Sequence, residues 1–239
     1  MSGAVVGLRS GARWIPFAGA DETPPGHGAA TESLRTWAES FLTRPNPDLG
    51  RDGSVCPYVR PALDRGLMWV CCISGHRPDI RQLRETMYDA LDIYPTLTQG
   101  HASAKSVLCA MVTLFPQVTD YRMVDDLHEE FKSSFVDQGT MLGQFYPGCA
   151  QSGLWNKEFR PLNSPVPMLV VRSMMSTDFP FLLERPEWMN AYVRKFAPQL
   201  PAHVRAAVVG RLTAQPEHEV PAYIAQPEPA GAPVPGGRS

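Results

Sequence analysis

Four short apolar runs, set between stretches of helical periodicity, decide most of what this chain can become. Leu67–Ile73, Ser106–Phe115, Thr140–Tyr146 and Met168–Met174 have strand length. Around them, apolar residues recur three and four apart. The sets are Leu34, Trp37 and Phe41; Ile80, Leu83, Met87, Leu91 and Tyr94; Val124, Leu127, Phe131 and Phe135; Met189, Val193 and Phe196; and Val204, Val208 and Leu212. A helix with one apolar stripe must bury it against another layer. The order therefore predicts an α+β fold, with a mixed or antiparallel central sheet of about four or more strands covered by helices, in a single domain. Thr31 is placed to cap the first helix, and Thr119 or Asp120 the third. Pro78 suits the first turn of the second helix, and Pro95 is expected to close it.

At 239 residues the chain has room for one sizeable domain. Residues 1–30 are rich in Gly, Ala and Pro and read as a loosely ordered segment. Residues 31–212 form the predicted α+β domain. Residues 213–239 hold six of the 24 prolines (Pro216, Pro221, Pro227, Pro229, Pro233 and Pro235) and little to bury, so a disordered tail is expected.

Charge and cysteine usage narrow the partners. A formal net charge of -2 and a pI near 6.3 argue against nucleic acid or an anionic membrane as the main partner. No apolar run approaches the roughly 18 residues of a membrane span, and no signal peptide is visible. Five cysteines without a CxxC pair fit reduced thiols, so a cytoplasmic protein is expected. Exposed strand edges leave a homodimer open.

Most motif-borne chemistries are excluded. No GxGxxG or GxxxxGK[ST] follows a strand, and no GxSxG elbow occurs. The histidines form no HxH, HExxH or HxxxH pair. His76, in a strand-to-helix turn, and His101, in the loop before the central strand, are the candidates for general acid or base. His128 sits beside an apolar stripe and reads as structural or surface-facing. Cys71, Cys72 and Cys109 read as small core residues. Cys149 is a less favoured nucleophile whose His partner would be distant in sequence. Arg172 interrupts an apolar strand, so its guanidinium needs an anion: Asp178 or a ligand. Arg160 and Asn156 lie in the long 147–167 loop, whose length marks it as functional.

Three segments, Val55–Val59 with its Cys56-Pro57-Tyr58, Gly139–Cys149, and Arg160–Arg172 followed by Asp178 and Phe181-Leu182, together resemble an uncharacterised actinobacterial domain family found beside natural-product genes. The layout is also similar, more distantly, to the YqcI/YcgG family of heme-dependent N-oxygenases. That resemblance implies a tailoring enzyme of secondary metabolism that binds heme and oxidises nitrogen of a small amine or amino acid, with an external electron donor or a peroxide. It implies that the long loop and its flanking strands form the pocket, with Arg160 and Arg172 for the propionates and Asn156 and Phe145 beside them. The family pattern places a His where this chain has Tyr146, so Tyr146 and Cys56 become the iron-ligand candidates, with His76 and His101 as alternatives. The other readings are a metal-free enzyme holding an anionic small molecule through Arg160 and Arg172, and a non-catalytic ligand- or partner-binding domain.

Overall fold

The computed structural model describes residues 3–17, 27–99 and 106–214. Six strands make one mixed sheet: β1 (Val5–Val6), β2 (Arg13–Pro16), β3 (Met68–Cys72), β4 (Ala110–Leu114), β5 (Thr140–Phe145) and β6 (Met168–Ser173), in the spatial order β1-β2-β3-β4-β6-β5. Only β3 and β4 run parallel, with Val70 opposite Val112; every other neighbour pair is antiparallel. The parallel pair needs a crossover, and α3 (Ile80–Thr98) supplies it. The remaining helices are α1 (Gly28–Trp37), α2 (Val59–Asp64), α4 (Arg122–Asp137), α5 (Pro186–Phe196) and α6 (Ala202–Thr213).

Period-two alternation sorts the sheet residues into two cores. One face presents Trp69, Cys71, Met111, Leu142, Leu169 and Val171 to the stripes of α3 and α4, including Leu83, Met87, Leu127, Phe131 and Phe135. The other presents Met68, Val70, Val112, Leu114 and Met168, and buries them with Leu34 of α1, Ala62 of α2, Phe17 and Val166. A third cluster joins Met141 of β5 to Trp188, Met189 and Val193 of α5 and Val209 of α6. Gly139 turns α4 into β5 with φ of +72°, a conformation that disfavours any side chain.

Two segments differ from the sequence expectation. The first 30 residues were expected to be loosely ordered, yet Val5–Val6 and Arg13–Pro16 are strands, and β2 pairs with β3. Two local features anchor them: Trp14 is fully buried, and Asp89 on α3 accepts hydrogen bonds from the backbone N–H groups of Arg9 and Ser10 and from the Ser10 hydroxyl. Pro95 does not close its helix, which continues to Thr98. Pro95 forfeits its own N–H bond and crowds the Leu91 carbonyl, but it lies in the last turn, where burial of Tyr94 and Leu97 offsets that cost. The tail prolines, from Pro216 on, lie outside the described residues, as does His101.

Candidate functional site

The sheet face that carries α1 and α2 also holds a cavity of about 410 Å³. Its floor is the cavity-side row of three strands: Ala110 and Val112 of β4, Met168, Val170 and Arg172 of β6, and Met141, Gly143 and Phe145 of β5. Leu34 and Trp37 of α1, Leu42, Cys56, Val59 and the loop residues Gln151, Pro161 and Leu162 complete the wall. The space exists because Ala110 and Gly143 project little or nothing from positions where neighbouring strand residues carry large side chains. A Cβ on Gly143 would come within 3.2 Å of the Phe145 ring.

Alternation along β5 separates two residues that the sequence grouped together. Phe145 faces the cavity and packs edge-on against Trp37, with ring centroids 6.0 Å apart. Tyr146 belongs to the opposite core, stacked on Tyr121, and its hydroxyl donates to Asp125 at 2.9 Å. Burial and that carboxylate push the phenol's pKa up, so it is held in the neutral form.

The other expected residues divide in the same way. Cys56 lines the cavity, half-buried. Arg172 lines it too, but its guanidinium is committed: it donates to both Asp178 carboxylate oxygens, at 2.7 and 2.6 Å, and to the Ser173 carbonyl. The internal ion pair anticipated from sequence is therefore present, and it sits at the cavity wall. Asp178 is 2% exposed and also accepts from the Met175 N–H. Arg160 lies outside the cavity and closes its own loop by donating to the carbonyls of Lys157 and Phe159. Asn156 ties that loop to the Asp48 carbonyl at 2.8 Å, again outside the cavity. His76 is exposed in its turn and does not line the cavity. The long loop is ordered by its own bonds: Gly148 N–H donates to the Asn163 side chain, and Phe159 is buried against Phe41.

Two cavity residues escaped the sequence reading in this role, His128 and Lys132, one turn apart on α4. β5 is the outer strand of the sheet, and its Leu142 carbonyl is satisfied by His128 Nε2 at 3.1 Å. A carbonyl only accepts, so Nε2 carries the proton and the neutral ring keeps Nδ1 bare. Burial, reinforced by the Lys132 charge, pulls the His128 pKa down to about 4. Lys132 places its ammonium 4.1 Å from the centre of the Trp188 ring and forms no ion pair among the described residues. Desolvation lowers its pKa as well, against a weak pull from Glu184. Their i, i+4 spacing beside the Leu127 and Phe131 stripe was visible in sequence. Nothing there showed that the edge of β5 would open beside them.

Among the described residues, no three His, Cys, Asp or Glu side chains gather as a metal site. No helix among them is long and apolar enough to cross a membrane. The architecture is thus a helix-covered mixed sheet with an apolar cavity on one face and a small cationic edge. A model of the family described as a domain of unknown function (DUF6875) matches residues 31–207, and the chain belongs to that family. No curated protein and no solved structure matches the chain.

Proposed function

We propose that the cavity between α1 and the sheet is the functional site, and that it binds a small molecule with a mostly apolar body. One observation carries this reading. The cavity is concave, walled mainly by aliphatic and aromatic side chains, and dotted with a few polar groups, the usual composition of a small-molecule site. Neither Arg160 nor His76 contributes to it. The test is a neutral apolar fluorophore, N-phenyl-1-naphthylamine, titrated into the full chain and into Ala110→Phe, which fills the floor. Saturable binding that is lost in a folded Ala110→Phe protein supports the reading. Binding of equal strength in the variant, or no binding by the unaltered chain, overturns it.

Heme-dependent oxidation of a small amine or amino acid, implied by the YqcI/YcgG resemblance, is the second reading, and one observation favours it: Cys56, a thiolate candidate, lines the cavity. Phe145 lines the cavity as well, but the expected Tyr ligand and propionate arginines do not fit. Tyr146 is bonded to Asp125 on the other face, Arg160 is outside, and the Arg172 fork is occupied by Asp178. No reaction step is therefore assigned to a heme here. Hemin titration decides this reading. A Soret band that shifts in Cys56→Ser supports it, and absence of any Soret band discards it.

A further inference from the structure

We propose that the cavity's ligand carries a carboxylate, and that Lys132, beside His128 at the β5 edge, receives it rather than Arg172. This rests on the cavity being the binding site, and it names the chemical class of what enters.

Arg172 is the obvious cation from sequence, but its charge is already matched. Both N–H arms of the fork reach Asp178, which also takes the Met175 N–H. A ligand anion there would compete with a buried carboxylate in near-ideal geometry. Lys132 is in the opposite condition. It lines the cavity, its stem is partly buried, and among the described residues no carboxylate lies within ion-pair distance of it. Its neighbour Arg185 shares the Trp188 ring from 4.9 Å but has Glu129 at 3.8 Å. A ring quadrupole only partly replaces the water a buried ammonium loses. Lys132 therefore brings to the cavity a positive charge with no ion-pair partner among the described residues and only the longer-range attraction of Glu184.

Charge count selects the anion. Burial and the neighbouring Lys132 charge keep His128 neutral, with its N–H committed to the Leu142 carbonyl, so the edge offers a single full charge. That matches a monoanion and undercompensates a phosphate dianion. Gln144, from the same strand, lines the cavity as a further polar group. The ligand class is then an apolar chain or ring ending in a carboxylate.

The experiment displaces N-phenyl-1-naphthylamine with the matched pair decanoate and decanol, in the full chain. Decanoate is expected to displace the dye about tenfold more effectively, the worth of one charge-assisted contact. Lys132→Met should erase that preference while dye binding persists, and Lys132→Arg should restore most of it. Arg160→Ala should leave the preference unchanged. Equal displacement by the two competitors in the unaltered chain overturns the inference, as does a preference that survives Lys132→Met. If Lys132→Met does not fold, Lys132→Gln is read in the same way. Failure of the dye to bind at all would instead sink the cavity reading beneath it.

Discussion

His128 shows how burial at a sheet edge sets a charge state against the pull of its own hydrogen bond. Its pKa is pulled down to about 4, from an ordinary 6.5, by burial and then by Lys132. Between those values the unfolded chain binds a proton that the folded chain refuses. Stability should therefore fall as the pH drops from about 6.5 towards 4, with a limiting slope of about 1.4 kcal/mol per unit. Denaturant midpoints at pH 7 and pH 4.5 should diverge in the native chain and converge in His128→Gln. Tyr146 gives a second prediction at this scale. Tyr146→Phe removes the hydroxyl bond to Asp125 but keeps the stack on Tyr121, so a loss of about 1 kcal/mol is expected. Cavity ligand binding should not change, because the ring lies in the other core. A Tyr146→Phe protein with altered dye affinity would contradict that placement.

The N-terminal hairpin illustrates what an element owes to a single buried acid. Asp89 is 2% exposed, and its oxygens collect the Ser10 hydroxyl and the backbone N–H groups of Ser10 and Arg9. Gly7 lies so close to that carboxylate that a Cβ there would collide with it. Burial alone would raise the Asp89 pKa, but the donors of Ser10 and Arg9 outweigh it and hold the pKa below the ordinary carboxylate range. A depressed folded pKa means the stabilisation is complete above about pH 4 and fades as the pH falls further. Asp89→Asn should cost about 2 kcal/mol at neutral pH and release β1 and β2 first. Hydrogen exchange at Gly7 and Ile15 would then rise ahead of exchange at Val70 and Val112 in the sheet centre; uniform exchange across all four would argue against a separable hairpin. The same element explains why composition misled. Its Gly, Ala and Pro content read as loose, while the burial of Trp14 and one distant carboxylate hold it.

At the scale of the whole molecule, the Arg172–Asp178 pair joins the sheet to the segment that feeds α5 and α6. Arg172 is on β6, and Asp178 lies in the short helical turn Ser176–Phe181. Arg172→Met leaves the Asp178 carboxylate buried with the Met175 N–H as its remaining partner, at a cost of about 3 kcal/mol. Adding Asp178→Asn to Arg172→Met should recover most of that loss, measured as the denaturant midpoint. A single variant within 0.5 kcal/mol of the unaltered chain, as about expected for an exposed surface change, would show that the pair is not buried in effect.

Sequence alone determined the layers. Four strand-length runs and five apolar stripes cannot bury themselves except as a helix-covered sheet, and β3, β4, β5 and β6 lie where those runs are. The ion pair of Arg172 was legible too, because a guanidinium inside an apolar run needs an anion and Asp178 is six residues away. What only the tertiary structure decided was which side chains share a space. Tyr146 and Phe145 are adjacent in sequence and end in opposite cores, because strand neighbours point to opposite faces. Ala110 and Gly143 are unremarkable small residues until β4 and β5 set them on one face, on either side of β6, and leave a cavity. His128 and Lys132 are ordinary helix residues until β5 becomes the outer strand and turns its Leu142 carbonyl towards them. Periodicity records what a residue must hide from water; strand order, which arises from contacts distant in sequence, settles what it meets there.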